Sequence, residues 1–149
     1  MSTHQKIRSD HISAVILAGG QGSRMGGVDK GLQMFRHAPL ALHALLRIQP
    51  QVNEVLINAN RNIGVYEGFG VPVICDQTPD YAGPLAGMQA GLNACSLPFL
   101  MTVPCDVPLF PESLVEKLSQ PFEEKPELLL TVACTPSGDQ PVFCLIRIE

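Results

Sequence analysis

Short apolar runs alternate along the chain with stretches in which apolar residues recur at helical spacing. Runs of four to six apolar residues are typical of buried strands, and apolar residues at every third or fourth position are typical of helices. Their alternation predicts successive strand–helix–strand units around a largely parallel sheet. The predicted strands are residues 12–17, 54–58, 71–75, 98–103, 128–134 and 142–147, and the predicted helices are residues 40–48, 85–95 and 114–118.

This order of elements predicts an α/β fold, a three-layer α/β/α sandwich that is Rossmann-like and has a mostly parallel sheet. The 149 residues fit one domain. Residues 1–11 are polar and are expected to form a flexible leader, so the domain is expected to span residues 12–149. Residues 120–127 contain two prolines and four charges and are predicted to be a surface loop.

The segment 17–31 follows the first predicted strand and is rich in glycine, with Arg24 and Lys30 inside it. Glycines allow backbone N–H groups to approach phosphate oxygens closely, and the two cations add full positive charge. The segment is not a Walker loop, because residues 22–27 are followed by Val28. It is not a dinucleotide fingerprint either, because Met25 occupies the position of the third glycine. A phosphate-binding loop is predicted, and a glycine-rich turn without ligand is the alternative.

Composition narrows the class of partner. A net charge of −4 argues against nucleic acid, which requires a broad basic face. No apolar stretch is long enough to cross a membrane, and the polar residues 1–11 are not expected to form a secretory signal. The five cysteines show no Cys-x-x-Cys pair and are expected to be buried thiols in a reducing compartment. We therefore expect a cytoplasmic protein that contacts neither nucleic acid nor membrane.

Polar residues follow the predicted strands at their carboxyl ends, where ligands collect in open α/β sheets. Asp106 follows the fourth strand and suits Mg²⁺, which prefers one or two carboxylates together with phosphate oxygens; capping of the next helix is its alternative role. Asp76 lies beyond the third strand, and its alternative role is turn formation. Asn58 suits sugar or base recognition or simply ends its strand. Asp29 is expected to pair with Arg24 or Lys30.

Four segments in order resemble the molybdenum cofactor guanylyltransferase family of nucleotidyltransferases. The first runs Leu-Ala-Gly-Gly, then Arg-Met-Gly-Gly, then Asp-Lys. The others are Asn-Ala-Asn-Arg at 58–61, Asp76 with Gly-Pro-Leu-Ala-Gly at 83–87, and Pro-Cys-Asp-Val-Pro at 104–108. The resemblance implies a nucleotide-diphospho-sugar transferase-like fold. It also implies transfer of GMP from GTP to the phosphate of molybdopterin or Mo-molybdopterin, with Mg²⁺ as cofactor and molybdenum cofactor carrier or insertion proteins as candidate partners.

The resemblance also implies roles for individual residues. Arg24, Lys30 and Asp106 would be catalytic, and Asp106 would hold the metal. The nucleotide would be bound by Leu17, Ala18, Gly19, Gly20, Lys30, Asn58, Asp76 and Asp106.

Two alternatives to guanylyl transfer stay open at the level of sequence. One is a related transferase that uses CTP or acts on a sugar phosphate. The other is a nucleotide-binding module without turnover, because the family's sequences continue beyond the point where this one stops. We accordingly expect a domain truncated at its carboxyl-terminal end.

Overall fold

A computed structural model describes residues 6–19, 29–77 and 83–148. Its regular elements agree with the alternating pattern of strands and helices. The strands are β1 (Ile12–Leu17), β2 (Met34–Phe35), β3 (Ala38–Pro39), β4 (Glu54–Asn58), β5 (Val73–Ile74), β6 (Phe99–Pro104), β7 (Leu130–Thr135) and β8 (Gly138–Arg147). The helices are α1 (Leu40–Ile48), α2 (Ile63–Glu67), α3 (Pro84–Ala94) and α4 (Leu114–Glu124), with short 3₁₀ turns at Ser9–His11, Lys30–Leu32 and Gln49–Gln51.

The main sheet has the strand order β5-β4-β1-β6-β8-β7, and β2 and β3 form a separate small hairpin. Strand β1 pairs in parallel with β4 and β6, and β4 pairs in parallel with β5. The last two strands are antiparallel, since β8 runs against both β6 and β7. The predicted α/β sandwich with a mostly parallel sheet is confirmed.

Helices cover both faces of the sheet, which gives the three layers. On one face, α1 and α4 pack on the alternate strand residues that include Ile12, Ile16 and Met101. On the other face, α3 lies so close to the sheet that a Cβ added to Gly91 would be 3.0 Å from Cγ1 of Val15. Apolar cores therefore lie on both faces of the sheet.

The predicted loop over residues 120–127 is wrong for residues 120–124, because helix α4 continues through Pro121 to Glu124. Proline removes one backbone hydrogen bond from a helix interior. The ring of Phe122 offsets that loss: it is buried and lies 5.3 Å from the ring of Phe99 in an edge-on contact.

Residues 6–11, within the predicted leader, contact the domain. The N–H of Ile7 donates to Glu123 at 3.0 Å, and the Ile7 side chain packs against the core. In the described ranges, no helix is long and apolar enough to span a bilayer.

The cysteines depart partly from the expectation that all five are buried. Cys105 and Cys144 are buried, whereas Cys75 and Cys134 are exposed. Exposure follows from position, since Cys75 lies just beyond the short β5 and Cys134 lies on the outermost strand, β7.

Candidate functional site

The carboxyl ends of four parallel strands meet at one edge of the sheet. Leu17 is in register with both Asn58 and Pro104, and Asn58 is in register with Ile74. The segments that follow β1, β4, β5 and β6 therefore emerge side by side. Residues far apart in sequence are therefore brought to one edge of the sheet.

Two asparagines and one aspartate tie three of these segments together. The Asn58 amide donates to Oδ1 of Asp76 at 2.8 Å, and the Asn60 amide donates to Oδ2 of Asp76 at 2.9 Å. Asn60 Oδ1 accepts from the Asp76 backbone N–H at 2.8 Å, and the Asn60 amide also reaches the Gly19 carbonyl at 3.1 Å. Both carboxylate oxygens of Asp76 are thus held by amides, which fixes the carboxylate at the rim of the sheet.

Asn58 is the centre of this arrangement and is 2% exposed. A Cβ added to Gly19 would lie 2.7 Å from Asn58 Oδ1, and one added to Gly87 would collide with the same oxygen. Glycines at both positions therefore allow the β1 turn and helix α3 to close on the asparagine. Asn58, itself held by close packing, therefore keeps the Asp76 carboxylate in place.

The turn after β1 has part of its backbone engaged within the protein. The Leu17 carbonyl accepts from the Cys105 N–H at 3.2 Å, and the Ala18 N–H donates to the Asn58 carbonyl at 2.8 Å. These bonds extend the sheet by one residue on each side of β1.

Asp29 forms no ion pair with Lys30, and Arg24, its other predicted partner, lies outside the described residues. Within the described residues the Asp29 carboxylate is held by two neutral donors. The Tyr66 hydroxyl donates to Oδ1 at 2.6 Å, and the Asn62 amide donates to Oδ2 at 3.0 Å. Burial, with a smaller effect of the Asp29 bond, raises the pKa of Tyr66 far above its usual range. Tyr66 therefore stays protonated and remains a donor at all physiological pH values.

Asp106 lies directly beyond β6 and its side chain is exposed. Helix α4 begins at Leu114 with Ser113 as its N-cap residue, so Asp106 does not cap it. The neighbouring Cys105 is buried, and burial followed by the charges of Asp106 and Asp29 raises its pKa to about 12. Lys30 opposes that rise, so the charges of Asp29, Lys30 and Asp106 all act on the Cys105 thiol.

Two predicted site residues, Gly20 and Arg24, lie outside the described residues. Residues of two segments that carry the family resemblance lie within them. Arg61 is half-buried, and its charge acts on Tyr66. Gly83 has a φ of 58° and Pro84 is the first residue of α3, which is the usual arrangement at the start of a helix.

Sequence reasoning missed Asn60, Asn62 and Tyr66. A signal for Asn60 was available, because residues two apart in extended chain point to the same side, and Asn60 stands two after Asn58. Asn62 has the left-handed φ of 52°, which asparagine tolerates better than most residues. No local pattern marks Tyr66, since its partner Asp29 is distant in sequence.

Comparison with known proteins places this chain in a family. The model of the MobA-like NTP transferase domain matches residues 14–148. A "Molybdenum cofactor guanylyltransferase" from Methylibium petroleiphilum is 55% identical over 148 residues, which cover 95% of this chain and 73% of that relative.

Solved structures share the fold at much lower identity. The molybdopterin-guanine dinucleotide biosynthesis protein A of Archaeoglobus fulgidus has a TM-score of 0.68 at 19% identity, covering 91% of this chain and 67% of its own. The 4-diphosphocytidyl-2C-methyl-D-erythritol synthase of Anaerococcus prevotii has a TM-score of 0.64 at 11% identity, covering 93% and 70%. The resemblance read from the four ordered segments is confirmed: this chain belongs to the family of the MobA-like NTP transferase domain.

Proposed function

We propose that this chain transfers GMP from GTP to the terminal phosphate of molybdopterin or Mo-molybdopterin, forming a guanine dinucleotide and releasing pyrophosphate. The observation that carries the proposal is the 55% identity, over 95% of the chain, to a protein named as a molybdenum cofactor guanylyltransferase. The fold alone would not suffice, because a cytidylyl-type synthase shares it.

The arrangement at the sheet edge supports this chemistry. In the reaction, a phosphate oxygen of the acceptor forms a bond to the α-phosphorus of GTP while the bond from that phosphorus to the bridging oxygen breaks. The acceptor phosphate is already a nucleophile, so no side-chain base is needed. The protein's task is to align two anions and neutralise charge.

Lys30 and Arg24 are the cations for that task. Lys30 is exposed, and its charge acts on Cys105, the residue before Asp106. In this proposal the Lys30 charge neutralises the leaving pyrophosphate. Leu17, Ala18, Gly19, Gly20, Asn58 and Asp76 would form the nucleotide's wall: Asn58 holds Asp76, and the turn after β1 stands beside both.

The donor set at Asp106 fits Mg²⁺. Among the described residues no cluster of three or more His, Cys, Asp or Glu side chains is present, and magnesium needs none when phosphates supply the other ligands. The Asp106 carboxylate is exposed and accepts no hydrogen bond from the described part of the chain. Asp106 would hold the ion, which when bound supplies further neutralisation of phosphate charge.

A nucleotide panel tests the proposal. The chain is incubated with molybdopterin, Mg²⁺ and each α-labelled nucleoside triphosphate in turn, and the labelled dinucleotide is separated and counted. We expect product with GTP and little with CTP, ATP or UTP.

Three outcomes would overturn guanylyl transfer, and for the second of them a sugar phosphate replaces molybdopterin as the acceptor. Product with CTP and none with GTP would indicate a cytidylyl transferase, and product only with a sugar phosphate acceptor would indicate a sugar nucleotide synthase. Binding of GTP without any product would indicate a module without turnover. If turnover is found, carrier or insertion proteins for the pterin are its proposed partners, and a pull-down with purified candidates tests them.

A further inference from the structure

Tyr66 lies behind the candidate site and contacts residues on both sides of Lys30. Its hydroxyl donates to Asp29 at 2.6 Å, and a Cβ added to Gly31 would collide with the same hydroxyl. The Tyr66 side chain is fully buried and its ring packs edge-on against Phe69 at 5.8 Å. The hydroxyl is therefore a rigid point against which the three residues 29–31 are held.

A second donor completes the anchor on Asp29. Asn62 directly precedes α2, but its side chain makes no cap hydrogen bond to that helix and instead reaches Asp29 at 3.0 Å. Its left-handed backbone is a conformation that costs free energy in most residues. Both carboxylate oxygens of Asp29 are thus held, one by Tyr66 of α2 and the other by the residue that precedes this helix.

We infer that Tyr66 is a positioning residue: through Asp29 and Gly31 it fixes the backbone on which Lys30 presents its ammonium group to the nucleotide's terminal phosphates. The inference rests on the proposed function, because it gives Lys30 the β- and γ-phosphates of GTP. The Tyr66 hydroxyl does not touch substrate. It acts on the reaction only through the placement of Lys30.

The test removes the hydroxyl alone and measures nucleotide affinity by calorimetry without acceptor. Tyr66→Phe is expected to weaken GTP relative to GMP by about tenfold, in the same direction as Lys30→Ala. In the double variant the two losses should not multiply, because with the ammonium gone its placement no longer matters.

Thr131→Val is the matched control. It also removes one buried hydroxyl, which donates to the carbonyl of Leu118 in α4 at 2.8 Å. It should lower the denaturation midpoint and leave the ratio of GTP to GMP affinity unchanged. Should Tyr66→Phe fail to fold, Asn62→Ala removes the other donor to Asp29 and is expected to shift the same ratio.

Two results would overturn the inference. One is a Tyr66→Phe protein that loses stability and keeps the wild-type ratio, as the control does. The other is a double variant in which the losses multiply. The inference about Tyr66 is tested by nucleotide affinities, which do not depend on which product is formed. A wild-type chain that binds GTP but gives no product in the nucleotide panel therefore refutes the proposed function alone. A wild-type chain that binds neither nucleotide refutes both.

Discussion

Asp106 stands at the carboxyl end of the central strand pair with its side chain exposed, so its charge is available to a ligand and contributes little to packing. Exposed substitutions usually change stability by less than about 0.5 kcal/mol. A role for Asp106 in the reaction can therefore be separated from a role in folding.

Asp106→Asn is expected to lower turnover at saturating Mg²⁺ by about 10²-fold or more, because the carboxylate that would hold the ion is gone. Product formation and the thermal midpoint are measured on the same preparation, and the midpoint should hardly move. Glu116→Gln, an exposed carboxylate on α4, is the control and should keep full activity. Wild-type turnover in Asp106→Asn would refute the role of Asp106 in holding the metal ion.

At the scale of elements, α3 determines the geometry of the site by how closely it approaches the sheet. A Cβ at Gly87 would collide with Asn58 Oδ1 and lie 2.8 Å from Cδ2 of Leu17. The helix must then move outward or Asn58 must release Asp76. Either change alters the wall of the nucleotide site.

Gly87→Ala is expected to destabilise the chain by about 1–3 kcal/mol through overpacking and to weaken GTP binding. Gly64→Ala is the matched control: Gly64 is exposed on α2 with nothing within 4 Å of an added Cβ. That change should stabilise the chain by about 0.4–1 kcal/mol. Denaturant titration measures both, and equal effects would contradict the close packing of α3.

The elements also show which parts of the fold the pattern of apolar residues predicts. Strand β1 and helix α1 have the predicted bounds, because continuous and helically spaced apolar residues report burial directly. Helix α4 runs past its predicted end because Phe122 is buried against Phe99, a long-range contact that outweighs the local effect of Pro121. The candidate residues at strand ends followed from topology, whereas the Tyr66–Asp29 pair depends on packing between distant segments and left no local pattern.

For the molecule as a whole, buried acidic protons connect pH to stability, and those of Cys105 and Tyr66 have the largest effect. The pKa of Cys105 is raised to about 12 from an ordinary value of about 9, first by burial and then by nearby carboxylates, and the pKa of Tyr66 is raised as well. Above about pH 9 the unfolded chain loses protons that the folded chain keeps. The free energy of unfolding must fall with rising pH.

Cys105 alone should contribute a loss of about 1.4 kcal/mol per pH unit above about pH 9, and none near neutrality. Urea denaturation at pH 8 and pH 10.5 measures it. Cys105→Ala should show a shallower fall than wild type between these pH values, and Cys134→Ala, which changes an exposed thiol, should match wild type. Identical slopes for all three proteins would contradict the buried, protonated thiol.

The position of β1 in the middle of the sheet also governs when the site can exist during synthesis. Ser13 pairs with Glu54, and Ile12 pairs with Phe99, so the first strand made receives its second neighbour only after residue 99 has been added. Chains are made from the amino end, and distant pairings form slowly. A nascent chain therefore carries Lys30, Asn58 and Asp76 for some time with one flank of β1 uncovered, and the arrival of β6 both closes that flank and delivers Asp106.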